Sequence, residues 1–266
     1  MKLITLLSDF GVKDAYVAEM KGVILSICPS AQIIDITHEI QKFNILQGAR
    51  ILTLAAQYFP INTIHVAVVD PGVGTKRRPI IIQTERCYLI GPDNGLLYTA
   101  AKQFGIIKVV EISNKNYMLD AISSTFHGRD LFAPVAAWLA NGVAIEKFGP
   151  EILEIIKLEM PIPQIIEGKI IGEVLYFDEF GNITTNISKE LINTYGVKFG
   201  DKIILNLGEN SLNILFLRTY GEAQVGEILT LIGSEELLEI AINQGSAAQF
   251  LKVKVGERVK ITKVGE

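Results

Sequence analysis

Short apolar runs alternate with amphipathic stretches through the first part of the chain, and the alternation predicts strands and helices in turn. Leu3 to Leu7 reads as a strand. Ala15 to Ile27 puts Tyr16, Met20, Val23, Ile24 and Ile27 on one helical face, and Gln32 to Ile36 is a second strand. A helix over Ile45 to Tyr58 ends before Pro60. Strands at Ile64 to Val69, Ile80 to Gln83 and Ile106 to Val110 continue the scheme, with a turn at Gly91-Pro92-Asp93-Asn94-Gly95 and a helical pattern from Leu131 to Leu139. Strands separated by helices predict βαβ units and a mainly parallel sheet between helical layers.

The pattern changes near Leu158-Glu159-Met160-Pro161-Ile162-Pro163, where the two prolines favour an extended connector. Beyond it, short β-rich runs dominate: Ile170 to Phe177, Ile183 to Ile187, Lys202 to Leu207, Ile214 to Tyr220, Ile228 to Ile232 and Arg258 to Val264. Gly, Asn and Asp turns separate them, which predicts an antiparallel sheet or small barrel. One helix-like stretch, Glu235 to Asn243, interrupts the series. The expected fold is therefore α/β, with a mainly parallel N-terminal α/β sandwich over residues 1–160 and a β-rich, barrel-like C-terminal domain over residues 168–266. Neither an internal repeat nor a low-complexity segment is evident, which disfavours a solenoid or a linker protein.

Composition narrows the class. The 266 residues are 49% hydrophobic and 20% charged, enough for one large core or two moderate ones. A net charge of −4, with no dense Lys/Arg run, argues against a partner held by its phosphate backbone. Cys28 and Cys87 stand apart from each other and from any Cys-x-x-Cys spacing, which disfavours a zinc site or a disulfide framework and fits a reducing cytoplasm. The N-terminal apolar stretch, Leu3 to Leu7, is shorter than the ~7 to 15 residues of a signal-peptide core. No run reaches the ~18 to 20 apolar residues of a membrane span. A soluble, unexported protein without membrane or nucleic-acid partners is expected.

Two segments put polar groups where apolar runs stop: Val68-Val69-Asp70-Pro71-Gly72-Val73-Gly74-Thr75-Lys76-Arg77 and Ser124-Thr125-Phe126-His127-Gly128-Arg129-Asp130. Asp70 falls at the C-terminal end of a predicted strand, the edge of a parallel α/β sheet where ligands bind. His127 precedes a helix at the same kind of junction. Brought together, Asp70, Arg77 and His127 would suit water attack without a metal. A histidine can accept a proton, a carboxylate can orient water or imidazole, and a guanidinium favours developing hydroxide. Spacing alone does not bring them together, since Arg77 and His127 lie fifty residues apart.

These segments, with Ser8-Asp9-Phe10-Gly11 and Phe180-Gly181-Asn182, resemble the S-adenosylmethionine hydroxide adenosyltransferase family, relatives of the adenosyl fluorinases and chlorinases. The resemblance spans both halves of the chain. It implies that Asp70, Arg77 and His127 form a catalytic triad holding water or hydroxide beside the 5′ carbon of S-adenosylmethionine, which is the substrate, with no cofactor and no metal. The sulfonium leaves, and the products are adenosine and methionine. By the same resemblance Asp9 receives both ribose hydroxyls, Asn182 reads the adenine edge with the Ala248 backbone, and Asp178 receives the methionine ammonium. Ser234 and Glu239 contact the amino-acid end. The resemblance also implies a homotrimer with sites between the N-terminal domain of one subunit and the C-terminal domain of the next, and a preference for the biologically inactive R sulfonium epimer.

Each motif also has a plainer reading. Asp70-Pro71-Gly72 supplies turn geometry by itself, Asp9 can cap a helix, and Asp130 sits favourably at a positive helix end. Asp178 to Asn182 reads equally as a hairpin turn. Three rival functions stay open at this point. A halide-dependent adenosyltransferase is disfavoured by a carboxylate at Asp70 and a histidine at His127, since halide relatives have an aromatic residue and a non-histidine there. A metallohydrolase would draw on Asp9, Asp70, His38 and His127, which lack compact ligand spacing. An adenosine or S-adenosylmethionine binding module would bind without turnover. His38 and His65 are expected to be structural or surface residues, and Val135 and Trp138 core.

Overall fold

Strand β1 (Leu3–Ser8) is buried at every position, as a central strand covered on both faces must be. The computed structural model describes residues 2–158 and 161–264. From β1 the chain runs through helix α1 (Tyr16–Ile27), edge strand β2 (Gln32–Thr37) and helix α2 (Ile45–Ala56) to β3 (Ile64–Val68). It continues through β4 (Pro79–Thr84), β5 (Tyr88–Pro92), α3 (Tyr98–Gln103), β6 (Ile106–Glu111) and α4 (Ala133–Ala140). The sheet order is β2-β1-β3-β5-β4-β6. Strands β2, β1, β3 and β5 are mutually parallel, and β4 runs antiparallel to both β5 and β6.

Helices α1 and α4 cover one face, where Met20 and Ile24 meet Leu6, Val66 and Val135. On the other face α2 and α3 place Leu52 and Ala100 against Leu7, Ala67 and Leu89. From β1 the chain passes through α1 on one face to β2 on one side, and from β2 it returns through α2 on the other face to β3 on the opposite side of β1. The crevice beyond the C-terminal ends of β1 and β3 is thus a topological switch point.

The second compact unit, residues 160–266, follows a first unit of residues 1–159, and the expected boundary at residue 160 lies outside the described residues. It contains β7 (Gln164–Ile166), β8 (Lys169–Phe177), β9 (Ile183–Ser188), α5 (Lys189–Tyr195), β10 (Lys202–Leu207) and β11 (Asn210–Phe216). Then come β12 (Ile228–Ile232), β13 (Leu237–Ile242), α6 (Ala247–Leu251) and β14 (Arg258–Lys263). Seven strands close a barrel in the order β14-β10-β11-β12-β13-β9-β8, shut by the pairing of β14 with β8, and β7 extends β8. Alternate residues such as Ile203, Leu205 and Leu207 fill its core, the period of two expected of strands.

Three local expectations are corrected. Glu235 to Asn243 is not helical: Leu237–Ile242 is a strand paired with both β12 and β9. Its apolar residues carry no period that separates a short buried helix from a buried strand. Gly91 and Pro92 belong to β5, and the turn begins only after them. Gly91 is placed so that a Cβ would meet the Ala67 carbonyl oxygen at 2.3 Å, so the glycine serves a close backbone approach inside the sheet. The helix predicted over Leu131 to Leu139 begins with a π-helical turn at Gly128–Phe132, whose Gly128 carbonyl accepts from Ala133 N–H. Val135 is buried as expected, whereas Trp138 is only partly so. Among the described residues no helix is long and apolar enough to cross a membrane.

His65 is fully buried on β3, its Nδ1 2.7 Å from Thr5 Oγ1 and its Nε2 without a hydrogen-bond partner. Burial, and then the charge of Arg86, push its pKa down to about 4. The unfolded chain therefore takes up a proton near pH 6.5 that the folded chain refuses until about pH 4. Stability present above pH 6.5 should fall by about 3 kcal/mol as pH drops through that window. Urea unfolding of the wild type and His65→Gln at pH 7 and 4.5 checks this. The wild type should lose more stability than the variant, and parallel losses would sink the assignment.

Candidate active site

Paired positions Ser8 and Val68 end β1 and β3 side by side, so Asp9 and Asp70 emerge together at the switch point. The Asp70–Arg77 loop folds against the Ser124–His127 loop at Gly74. There φ is +75°, and a Cβ would lie 2.2 Å from the Ser124 carbonyl oxygen. Only glycine allows that approach, and it joins the two motifs that are distant in sequence.

Arg77 holds the centre. Its Nε donates to Asp70 Oδ1 at 3.1 Å and its Nη2 to Asp70 Oδ2, a two-point grip on the carboxylate. The same Nη2 lies 3.0 Å from His127 Nδ1. The Arg77 and Asp70 side chains are only 6% and 5% exposed, so the pair is desolvated. The guanidinium carbon sits 5.4 Å from the centroid of the Phe132 ring. Burial first, and then Arg77, hold the His127 pKa below its ordinary value, while Asp70 and Asp130 oppose that shift. The imidazole is neutral at neutral pH.

A guanidinium only donates hydrogen bonds, so His127 Nδ1 must accept and the ring proton resides on Nε2. Asp70 and His127 both line a cavity of about 390 Å³ with Asp9, Asp14, Tyr16, Lys42, Phe43 and Phe126. Phe126, Phe10 and Tyr16 form an aromatic cluster with centroids 5.1–5.9 Å apart. Asp9 is buried; its Oδ2 accepts from Phe43 N–H at 2.9 Å, and its carbonyl accepts from Lys42 Nζ. The sequence reading did not select Lys42 or Phe43. The left-handed backbone of Phe43, φ 66°, has no glycine to announce it. Asp130 is fully buried, accepting from Arg129 Nε at 2.6 Å and Ser123 N–H at 2.7 Å. It therefore supports the loop that carries His127.

The other predicted residues lie in the barrel unit. Asp178 Oδ1 accepts the N–H groups of Phe180 and Asn182 at 2.9 and 2.8 Å, and Oδ2 accepts from Asn182 Nδ2 at 2.8 Å. That is the turn reading realised. The Ala248 N–H already donates to the Gly181 carbonyl at 2.9 Å, and the Ala248 carbonyl accepts from Lys252 N–H at 3.0 Å. Asp178 and Asn182 line a cavity of about 540 Å³ with Phe180, Tyr220, Ile242 and Gln244. A second cavity, of about 440 Å³, collects Asp178, Ser234, Glu235 and Glu239. Glu239 accepts from the Tyr220 hydroxyl at 2.5 Å. Burial first, and then Asp178 and Glu235, raise its pKa against that bond. Tyr220, absent from the sequence reading, carries a raised pKa through burial and the Glu239 contact. Among the described residues no group of three or more His, Cys, Asp or Glu is arranged to hold a metal ion.

Comparison with known proteins covers both units. The chain is 38% identical to a protein of Methanocaldococcus jannaschii named (R)-S-adenosyl-L-methionine hydrolase, over 98% of this chain and 96% of that one. A Salinispora tropica protein of the same name is 35% identical over 97% of each. A solved structure of an uncharacterised conserved protein from Thermotoga maritima superposes with a TM-score of 0.91 at 40% identity, covering 97% of this chain and 99% of that one. The models of the SAM hydroxide adenosyltransferase N-terminal and C-terminal domains match residues 4–149 and 172–260, and the chain belongs to that family.

Proposed function

We propose that this protein hydrolyses S-adenosylmethionine at the 5′ carbon to adenosine and methionine, acting on the R sulfonium epimer named for its relatives. The observation that carries the reading is the Asp70–Arg77–His127 cluster, with a carboxylate and a neutral imidazole lining one cavity at the switch point. The water oxygen accepts from His127 Nε2–H and gives one hydrogen to Asp70, which leaves a lone pair for carbon. This gives the imidazole a donor's role in place of the proton-accepting role expected from sequence.

The new C–O bond forms as the C–S bond breaks, and the sulfonium takes the bonding pair to become the neutral thioether of methionine. As it attacks, water becomes a strongly acidic oxonium, so a carboxylate suffices to take its proton. The protein's work is then positioning and water exclusion around a carbon already activated by positive sulfur. No step is assigned to a metal. A halide in place of water would face the Asp70 carboxylate at like charge, whereas water donates to it.

Purified protein with each sulfonium epimer, heavy-oxygen water and chloride, with and without chelator, tests the reaction by product mass. Heavy oxygen in the adenosine 5′-hydroxyl, unchanged by chelator, is expected. Chlorinated nucleoside or chelator-abolished turnover would replace the reading. Binding of adenosine without turnover of either epimer would favour a binding module.

Asp9 serves as the ribose anchor in this reading. Charge-assisted hydrogen bonds contribute about 1.5–3 kcal/mol each, so Asp9→Ala, which removes the acceptor of both ribose hydroxyls, should weaken adenosine binding on the order of 10²- to 10⁴-fold. Calorimetric titration checks this, and unchanged affinity would remove the ribose contact. Asn182, Ala248, Asp178, Ser234 and Glu239 keep their expected adenine and methionine roles as part of the proposal. So does a homotrimer, which sedimentation at three times the chain mass would support. A cytoplasmic setting accords with Cys28 and Cys87, both buried free thiols.

A further inference from the structure

Directly behind Asp9 lies a polar chain, buried at Ser8 and His38, that the reaction does not use. His38 Nδ1 is 2.7 Å from Ser8 Oγ, and both side chains are buried. His38 Nε2 is 3.2 Å from Asp35 Oδ1, off the line of a well-aligned hydrogen bond and with no other partner, and Asp35 Oδ2 takes Lys21 Nζ at 2.6 Å. A ring with a proton on Nε2 satisfies this order. Nε2–H faces the Asp35 carboxylate, Nδ1 accepts the Ser8 hydroxyl proton, and Ser8 Oγ is left to accept from Phe10 N–H, which it does at 3.2 Å.

His38 also grips the same turn through its backbone, its carbonyl accepting from Gly11 N–H at 2.7 Å. Ser8 and Phe10 flank Asp9, so both grips fix the residue between them. The loop that starts at His38 then returns Lys42 and Phe43 to the Asp9 carbonyl and carboxylate. An isolated buried histidine would need no such chain. A carboxylate that must meet two hydroxyls at once does need its backbone held, because a small misplacement of a polar partner forfeits most of the bond.

We infer that His38 is a positioning residue for substrate binding: with Ser8 and Asp35 it locks the Asp9 turn and the Lys42–Phe43 loop so that the Asp9 carboxylate meets the ribose hydroxyls. The inference rests on the ribose role of Asp9 proposed above. It assigns the Ser-His-Asp arrangement to orientation and not to nucleophilic attack. The Ser8 hydroxyl is buried between His38 and Phe10 N–H and does not line the cavity.

The test is selectivity for the ribose hydroxyl, which a merely structural residue would not move. The full chain is titrated with adenosine and with 2′-deoxyadenosine. Wild type should bind adenosine about tenfold more tightly, the loss of one charge-assisted hydrogen bond. His38→Leu should shrink that preference to about twofold and raise KM for S-adenosylmethionine, with kcat within about threefold of wild type. Asp35→Asn, on the exposed edge strand, should give an intermediate preference, and it carries the test alone if His38→Leu does not fold. Full wild-type selectivity in the variant that folds, or a fall in kcat with KM unchanged, would overturn the inference. A wild type that binds adenosine without preferring it would overturn the ribose role of Asp9 itself, and the two failures are told apart in the wild-type titration.

Discussion

Arg77→Met should abolish measurable hydrolysis and destabilise the N-terminal unit by about 3–5 kcal/mol, the usual result of leaving one member of a buried ion pair alone. Asp70 would be left without its partner in a place where its side chain is 5% exposed, and no other cation contacts it among the described hydrogen bonds and ion pairs. His127 Nδ1 would at the same time lose the donor that sets its tautomer. Stability and catalysis separate in the double variant Asp70→Ala/Arg77→Met. With the pair removed together neither member is left as an unpaired buried charge, so urea unfolding should recover most of the loss while adenosine release stays at background. A double variant no more stable than Arg77→Met would mean that the pair is not desolvated as described. Substantial turnover in either variant would place the chemistry elsewhere.

The same pair shows what the sequence could and could not reveal. Asp70 was legible because Ile64 to Val69 is an apolar run broken only by His65, and the first polar residue after such a run marks a strand's C-terminal end. Its neighbour across the sheet, Asp9, was legible for the same reason. Their convergence with His127 was not, because it depends on Gly74 passing against the Ser124 carbonyl, and no periodicity encodes a loop-to-loop contact. The resemblance to a known family supplied that step.

Elsewhere the limit is the ambiguity of short apolar runs. Leu237–Ile242 falls within the helix-like stretch expected over Glu235 to Asn243. Pairing on both sides decided for a strand, a tertiary effect overriding local propensity. The helix at Lys189–Tyr195 escaped notice despite a Ser188 cap accepting from Leu191 N–H, since two turns are too short to display a period of 3.6. Buried polar chemistry was least visible of all. His38 and His65 are both lone histidines by sequence, yet one is tied to Ser8 and Asp35 behind the site and the other to Thr5 in the core.

The tautomer of His127 makes the most discriminating prediction. If the imidazole donates through Nε2–H, a side chain that places an N–H at the same distance from the backbone can replace it in part. His127→Gln does so, with its amide nitrogen near the position of Nε2, whereas His127→Ala removes the donor altogether. General acid–base and hydrogen-bonding groups of this kind typically contribute about 10²- to 10⁴-fold, so His127→Ala should lose turnover on that order. His127→Gln should recover at least about tenfold of the loss, with adenosine affinity little changed in both. An imidazole acting as base predicts a different result, since an amide cannot take the proton and Gln would be no better than Ala. Acidification acts on both cases alike and sets the working range. Protonation turns Nδ1 from acceptor to donor while it faces Arg77 Nη2 at 3.0 Å. Activity should therefore hold as pH falls through 6.5, the ordinary imidazole value, and fail only below it, because burial and Arg77 depress the folded pKa. The linked stability has the same sign, present above 6.5 and lost as pH falls toward the depressed value, because the unfolded chain binds the proton first. A kcat profile that already declines above pH 7 on the acid side would contradict the neutral ring, and equal activities for His127→Gln and His127→Ala would return the imidazole to the role of base.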